Sequence, residues 1–249
     1  MTALMESTKR KMGGDKDQTS QDGGQYPSVY EVGSTLELTP IERDPTLVGY
    51  WSFEEGSGNA TSTDYSGNNN NGTWYGTSTH YGTGKVGTWA GSFNGSSDYV
   101  SVANSSSFAF GTGSFSISAW INPDSVAGYR MIFVKGFYLT TNNVYLDMYL
   151  NSGGIIDYPA GTVVVDKWQL ATAVIDHEAQ VIKFYLDGGL VGTSGDISDI
   201  GSLTNSNSVI LGRFGTSDLY YFDGPIDDVR VYNRALSAAE IQAIYNATR

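Results

Sequence analysis

The sequence predicts an all-β protein: a two-sheet antiparallel sandwich with a short C-terminal helix. Three observations carry that expectation. Thirty-one Gly, seventeen Tyr and only 16% charged residues are the palette of short strands joined by turns rather than of helices. From Leu47 onward, short apolar or alternating runs are separated by clusters of Gly, Asn, Asp and Ser, the rhythm of a sandwich. Only the last segment has helical spacing.

In chain order, the clearest runs are 47–53, 99–102, 115–121, 131–134, 144–150, 170–175, 181–186, 209–214 and 226–232. The period of two places Val144, Leu146, Met148 and Leu150 on a core face, with Tyr145, Asp147 and Tyr149 on a wet one. By the same rule Ile182, Phe184 and Leu186 point inward and Lys183, Tyr185 and Asp187 outward, before a tight hairpin turn at Asp187-Gly188-Gly189. Trp51 and Trp168 read as core or core-edge packing. Trp120 alternates away from Phe115, Ile117, Ala119 and Ile121, onto the second face or beneath a covering loop. Ser237-Ala238-Ala239-Glu240 is a capping box, and Ile241, Ile244 and Tyr245 form the apolar stripe of a helix packed on the sandwich, where it covers a sheet edge.

The compact domain is expected over residues 46–249, behind an extension of residues 1–45. Residues 6–25 have no apolar periodicity and too little surface to bury to offset their ordering entropy. A net charge of -12 with scattered Lys and Arg argues against nucleic acid as a partner, because phosphate binding needs clustered cations. No apolar run has the length of a membrane span, and residues 1–25 lack the apolar centre of a signal peptide. Without Cys there is neither a disulfide nor a thiolate metal site.

Six linked motifs then carry a resemblance. They are Tyr50-Trp51-Ser52-Phe53-Glu54-Glu55-Gly56-Ser57-Gly58; Asp64-Tyr65-Ser66-Gly67-Asn68, leading to Asn71-Gly72-Thr73; Ser92-Phe93-Asn94-Gly95 with Asp98-Tyr99-Val100; the strand 115–121; Tyr185-Leu186-Asp187-Gly188; and the run from Phe222-Asp223-Gly224-Pro225-Ile226-Asp227-Asp228 to Ser237. In this order they resemble the laminin G-like jelly-roll modules of bacterial surface and secreted proteins, within the concanavalin A-like lectin and glucanase superfamily. Asn94 stands where that family usually has Asp, and Trp168-Gln169-Leu170 replaces its Trp-His-His. The resemblance implies a jelly roll, an extracellular or cell-surface setting, and a non-catalytic carbohydrate-binding or adhesion role toward a glycan or cell-surface protein. Separately, Asp22-Gly23-Gly24-Gln25-Tyr26-Pro27-Ser28 resembles the segment after the amino-terminal helix of type IV pilins and pseudopilins. That implies, as an alternative, a structural subunit binding pilus or secretion-system partners; a plain linker is the other reading of the segment. A polysaccharide-active enzyme ranks last.

Catalysis on this scaffold needs two carboxylates flanking one glycosidic bond, and no Glu-x-Asp-x-x-Glu pattern exists. Glu54 and Glu55 are adjacent, as are Asp227 and Asp228, and adjacent strand residues face opposite sides. His80 and His177 read as surface turn residues, which leaves a Ser-His-Asp arrangement without a base. Related jelly rolls often hold a calcium ion (Ca2+), an oxygen-seeking cation. The resemblance nominates Glu54, Asp64, Asn68 and Asp227 to hold it; the alternative is that Asp64 makes only an Asx turn and Asp227 only caps a loop. For a glycan, the useful groups are exposed rings with polar neighbours. The candidates are Trp74, Tyr75 and Tyr81 in the early loop and Tyr145, Asp147 and Tyr149 on the wet face.

Overall fold

A computed structural model describes residues 44–77, 79–150, 160–215 and 219–249. The pilin-like run 22–28 lies outside the described residues. Residues Thr46–Arg249 form one compact unit. Its strands are β1 (Leu47–Trp51), β2 (Thr61–Ser62), β3 (Gly72–Tyr75), β4 (Tyr81–Thr83), β5 (Trp89–Asn94), β6 (Tyr99–Val102), β7 (Phe115–Ile121) and β8 (Tyr129–Val134). They continue with β9 (Tyr138–Asn142), β10 (Tyr145–Tyr149), β11 (Gln169–Asp176), β12 (Val181–Leu186), β13 (Gly189–Thr193), β14 (Val209–Leu211) and β15 (Asp223–Tyr232). Helix α1 (Ala238–Thr248) ends the chain.

The strands form the two antiparallel sheets of a jelly-roll sandwich. The first has the order β13-β12-β11-β7-β15-β5-β4, with β1 also on β15. The second has the order β10-β9-β8-β14-β6-β3-β2. Trp51, Phe53, Phe93, Phe115, Phe133 and Phe184 are among the side chains that fill the space between them. Each such ring or branched chain withdrawn from water contributes about 1.5–3 kcal/mol. The hairpin β12–β13 turns at Asp187 (φ 52°) and Gly188 (φ 81°), the two positive φ values a two-residue turn with matching twist requires.

Strand β7 is buried on both faces, and its outward side explains Trp120. Ser116 Oγ donates to Arg234 O and accepts from Leu236 N, and the Ser118 and Thr172 hydroxyls bond each other at 2.9 Å. Trp120 Nε1 donates to Thr248 Oγ1 on α1, and its ring lies 5.7 Å from that of Tyr245. A helix of eleven residues is marginal alone. Here Ile241 and Ile244 pack with Trp120, Leu170, Val174 and Tyr185, so α1 covers the outer face of the first sheet rather than an edge. Tyr185, expected on a wet face, is therefore buried. The capping box forms as expected: Glu240 N donates to Ser237 Oγ, and Ser237 N to Glu240 Oε2.

Two runs end differently from their patterns. Val144 is exposed rather than core, because the β9–β10 hairpin turns through Asn143 (φ 52°) and Val144 at its tip. The run 209–214 stops at Leu211: Gly212 takes φ 84°, and a Cβ there would stand 2.3 Å from the Phe93 ring.

Candidate functional site

The four side chains nominated for calcium do not come together. The Asp64 carboxylate is saturated by its own chain: Oδ1 accepts Tyr50 N and Ser66 N, while Oδ2 accepts Ser66 Oγ and Asn70 N, all at 2.8–2.9 Å. Asn68 Nδ2 donates to Ser66 Oγ and Leu47 O. These two residues staple the loop 64–71 to β1. Glu54 does similar work elsewhere, accepting Thr88 N and Trp89 N.

Asp227 is 0% exposed. Its Oδ2 accepts Lys85 N and Val86 N at 2.9 Å, and its Oδ1 is buried without a hydrogen-bond partner among the described residues. Burial first, then the neighbouring Asp228 and Glu54 charges, push its carboxyl up to about 8 against the opposing backbone donors. A bulge in β15 between Asp227 and Arg230, with Asp228 at φ 53°, brings Asp228 inside too. There the Arg230 guanidinium meets the carboxylate at 2.8 Å. Both acids are sealed from solvent, so they cannot flank a glycosidic bond. Among the described residues, no group of three or more His, Asp or Glu is gathered as a metal would need.

Both histidines are half-buried; His177 lies in the turn 177–180 as expected, and His80 in the connection just before β4. His80 stacks on Trp74 at 4.7 Å, and desolvation lowers the pKa of both His80 and His177. His177 has Ser114 and Asp176 as neighbours, but Ser114 Oγ accepts the His177 backbone N at 3.0 Å and Asp176 Oδ2 is paired with Lys183 Nζ at 2.8 Å.

Of the six residues nominated for ligand contact, three are inside. Trp74 and Tyr81 lie on β3 and β4 with side chains in the core, joined by Trp74 Nε1 donating to Tyr81 Oη at 3.1 Å. The segment taken for a loop is thus two short strands, whose Gly and Thr content hides them. Asp147 is 2% exposed and paired across β9 with the fully buried Thr140, so that part of the face is not wet. Tyr75 and Tyr145 are exposed and Tyr149 half-buried.

The outer face of the second sheet carries the aromatic surface. On one side the Tyr75 and Tyr99 rings stack at 4.9 Å, and the Arg213 guanidinium lies 3.7 Å from the Tyr99 centroid. On the other, Tyr138 and Tyr149 stack at 4.5 Å, and Phe214 meets Tyr138 edge-on at 5.4 Å. Tyr220 continues the row beside Phe214 and Tyr129. Between them Met131, Val134 and Ile210 form an apolar floor. Tyr99, Tyr138, Arg213, Phe214 and Tyr220 were not nominated from sequence. The period of two in 99–102 would have turned Tyr99 outward, but nothing local links it to Tyr138.

A comparison with curated proteins returned no match. Among solved structures, the binding domain of Paraclostridial Mosquitocidal Protein 1 aligns at TM-score 0.68 and 19% identity, over 81% of this chain and 52% of that one. The binding domain of botulinum neurotoxin DC, solved with rat synaptotagmin II, gives 0.64 and 16%, over 82% and 52%. Domain 4 of AbnA, a GH43 extracellular arabinanase from Geobacillus stearothermophilus, solved with arabinotriose, gives 0.62 and 20%, over 80% and 98%. The chain spans about half the length of the toxin binding domains. At these identities the likeness is one of fold. Residues 94–242, more than half of the chain, match the laminin G-like family model of the concanavalin A-like lectin/glucanases superfamily, and the chain belongs to that family.

Proposed function

We propose that this chain is a non-catalytic carbohydrate-binding or adhesion module of a secreted or cell-surface assembly, and that the outer face of the second sheet is its contact surface. The observation behind this reading is the paired ring platforms, Tyr75–Tyr99 and Tyr138–Tyr149, separated by an apolar floor. Ring faces and edges suit the C–H groups of sugars, and Arg213 adds hydrogen-bond donors beside them. Support from likeness is limited to scaffold: structures of this fold include an arabinanase domain holding arabinotriose and a toxin domain holding synaptotagmin. A calcium ion enters only through Asp227, whose buried Oδ1 lacks a donor, with Glu54 as its acidic neighbour. Asp64 and Asn68 are engaged elsewhere.

The test is a glycan array probed with the full chain, in calcium and in chelator, followed by titration of the best hit. Tyr75→Ala and Tyr138→Ala are each expected to weaken binding about tenfold, the loss of roughly 1.4 kcal/mol of ring contact. No glycan bound by the folded wild type in either buffer overturns the reading. Binding and melting temperature both indifferent to calcium and chelator remove the ion from it.

A further inference from the structure

The two sheets end together on one flank. Ala160 bridges to Leu146 on β10, and Val163 N donates to Val144 O. The same segment lies against the other sheet, since a Cβ on Gly161 would stand 2.8 Å from both Leu186 and Val191. Among the described residues, strand β13 therefore borders this flank with a strand neighbour on one side only.

We propose that this flank pairs with its counterpart in a second copy of the chain, β13 against β13 about a two-fold axis. Natural edge strands are guarded by Lys, Pro or inward charges. Gly189-Leu190-Val191-Gly192-Thr193 has none. A bulge also blunts an edge, and β13 has one such device: a register shift between Phe184 and Tyr185 that leaves Val191 without a partner on β12 and adds no charge. Six of the nine large exposed hydrophobics among the described residues gather here: Val144, Tyr145, Val164, Val165, Leu190 and Val191, with Leu190 58% exposed. Together they present roughly 450 Å2, within the ~300–600 Å2 of the largest apolar patch on a typical monomer and about half of what each partner of a stable interface contributes. The open backbone and the rim supply the remainder.

Local charge admits a second copy as the occupant. The chain carries -12, so two copies repel, and an anionic membrane surface repels it too. On this flank the carboxylates next to β13 are matched: Asp176 by Lys183 at 2.8 Å and Asp187 by Lys167 at 3.9 Å. Asp166 and Asp196 remain at the rim. This is a stretch of surface where two like-charged copies meet at small electrostatic cost, and an edge strand is self-complementary in an antiparallel two-fold. That axis runs perpendicular to the paired sheet. Corresponding faces of both copies then look the same way, and, on the reading proposed above, two aromatic faces meet one glycan-bearing surface.

Sedimentation velocity on the full chain over a concentration series tests the pairing. The wild type is expected to double its mass as concentration rises, and Leu190→Lys to remain single with an unchanged melting temperature. Because the chain lacks Cys, Val191→Cys is expected to oxidise to a linked dimer at least tenfold faster than Thr73→Cys on the opposite flank. A wild type of single mass throughout overturns the proposal. So does a dimer that survives Leu190→Lys, or equal cross-linking of the two Cys variants. On a glycan-coated surface, Leu190→Lys should be held about a hundredfold more weakly than wild type. Absence of glycan binding would sink the proposed function and leave the mass measurement standing.

Discussion

Replacing Asp64 by Ala separates a structural staple from a metal ligand. The side chain gathers four donors from three places in sequence: Tyr50 N on β1, Ser66 N and Oγ, and Asn70 N. Tyr50, Ser66 and Asn70 are all buried, so water cannot replace the lost acceptor without opening the loop. Each buried group left unpaired costs about 1–3 kcal/mol, and part of the loop will relax, so a loss of about 3–6 kcal/mol is expected. For a domain of this size each kcal/mol lowers the melting temperature by about 2–4 °C, giving a fall of roughly 10–20 °C. Asp64→Asn keeps one acceptor oxygen and turns an NH2 toward donors on the other side, so it should lose about half as much. Melting followed by near-ultraviolet circular dichroism, with calcium and with chelator, reads the outcome. A loss below about 1 kcal/mol would refute the staple. A loss seen only in calcium would make Asp64 a ligand after all.

Three further outcomes follow from the geometry. Asp227, raised from 3.8 to about 8 chiefly by burial, is favoured neutral in the folded state; its contribution is complete below about pH 4 and is lost as pH rises toward 8. Asp227→Asn should therefore gain on wild type in melting temperature as pH goes from 5 to 8, and a constant difference would contradict this. Glu240 has the opposite sign: its bond to Arg234 lowers it from 4.5 to about 2, so its contribution holds above pH 4.5 and fades as pH falls toward 2. Amide protection in α1, with the intrinsic pH dependence of exchange divided out, should fall over that range in wild type and stay level in Glu240→Gln. Lys135 Nζ, buried beneath the surface, donates to Asn207 O at 2.7 Å and Asn104 Oδ1 at 2.8 Å, tying two loops. Lys135→Met should cost about 2–4 kcal/mol in urea unfolding, and a neutral result would show that water replaces the ammonium.

The sequence was most legible where strand period and burial coincide. In β7 the inward row Phe115, Ile117, Ala119 and Ile121 follows from alternation alone. What covers Trp120 does not, because Thr248 and Tyr245 reach it from 128 and 125 residues away through a packing decision no local pattern encodes. Strands of two to four residues, such as β2, β3 and β4, are too short for a period of two to show, and so Trp74 and Tyr81 passed for loop aromatics. The capping box was legible because both of its partners lie within one turn. The aromatic face was not, since its rings come from β3, β6, β9 and β10 and the loops around Arg213 and Tyr220. Their adjacency exists only once the order β10-β9-β8-β14-β6-β3 is known.

The residues that carry the family motifs and those that form the aromatic face divide by physical role. Short strands leave long connections whose backbone amides have no ladder partner, and a buried amide must find an acceptor. In this chain the acceptors are largely motif side chains: Asp64 for the loop 64–71, Glu54 and Asp227 for 85–89, Asn94 and Asp98 for 77 and 96–98, and Asp187 for Leu170. These residue types are fixed by backbone geometry, whatever the domain binds. The rings of the outer face are placed by stacking on one another, a role different from that of the motif acceptors. Recognition by motif thus identifies the scaffold, and on the function proposed above the choice of ligand falls to Tyr75, Tyr99, Tyr138, Tyr149 and their neighbours.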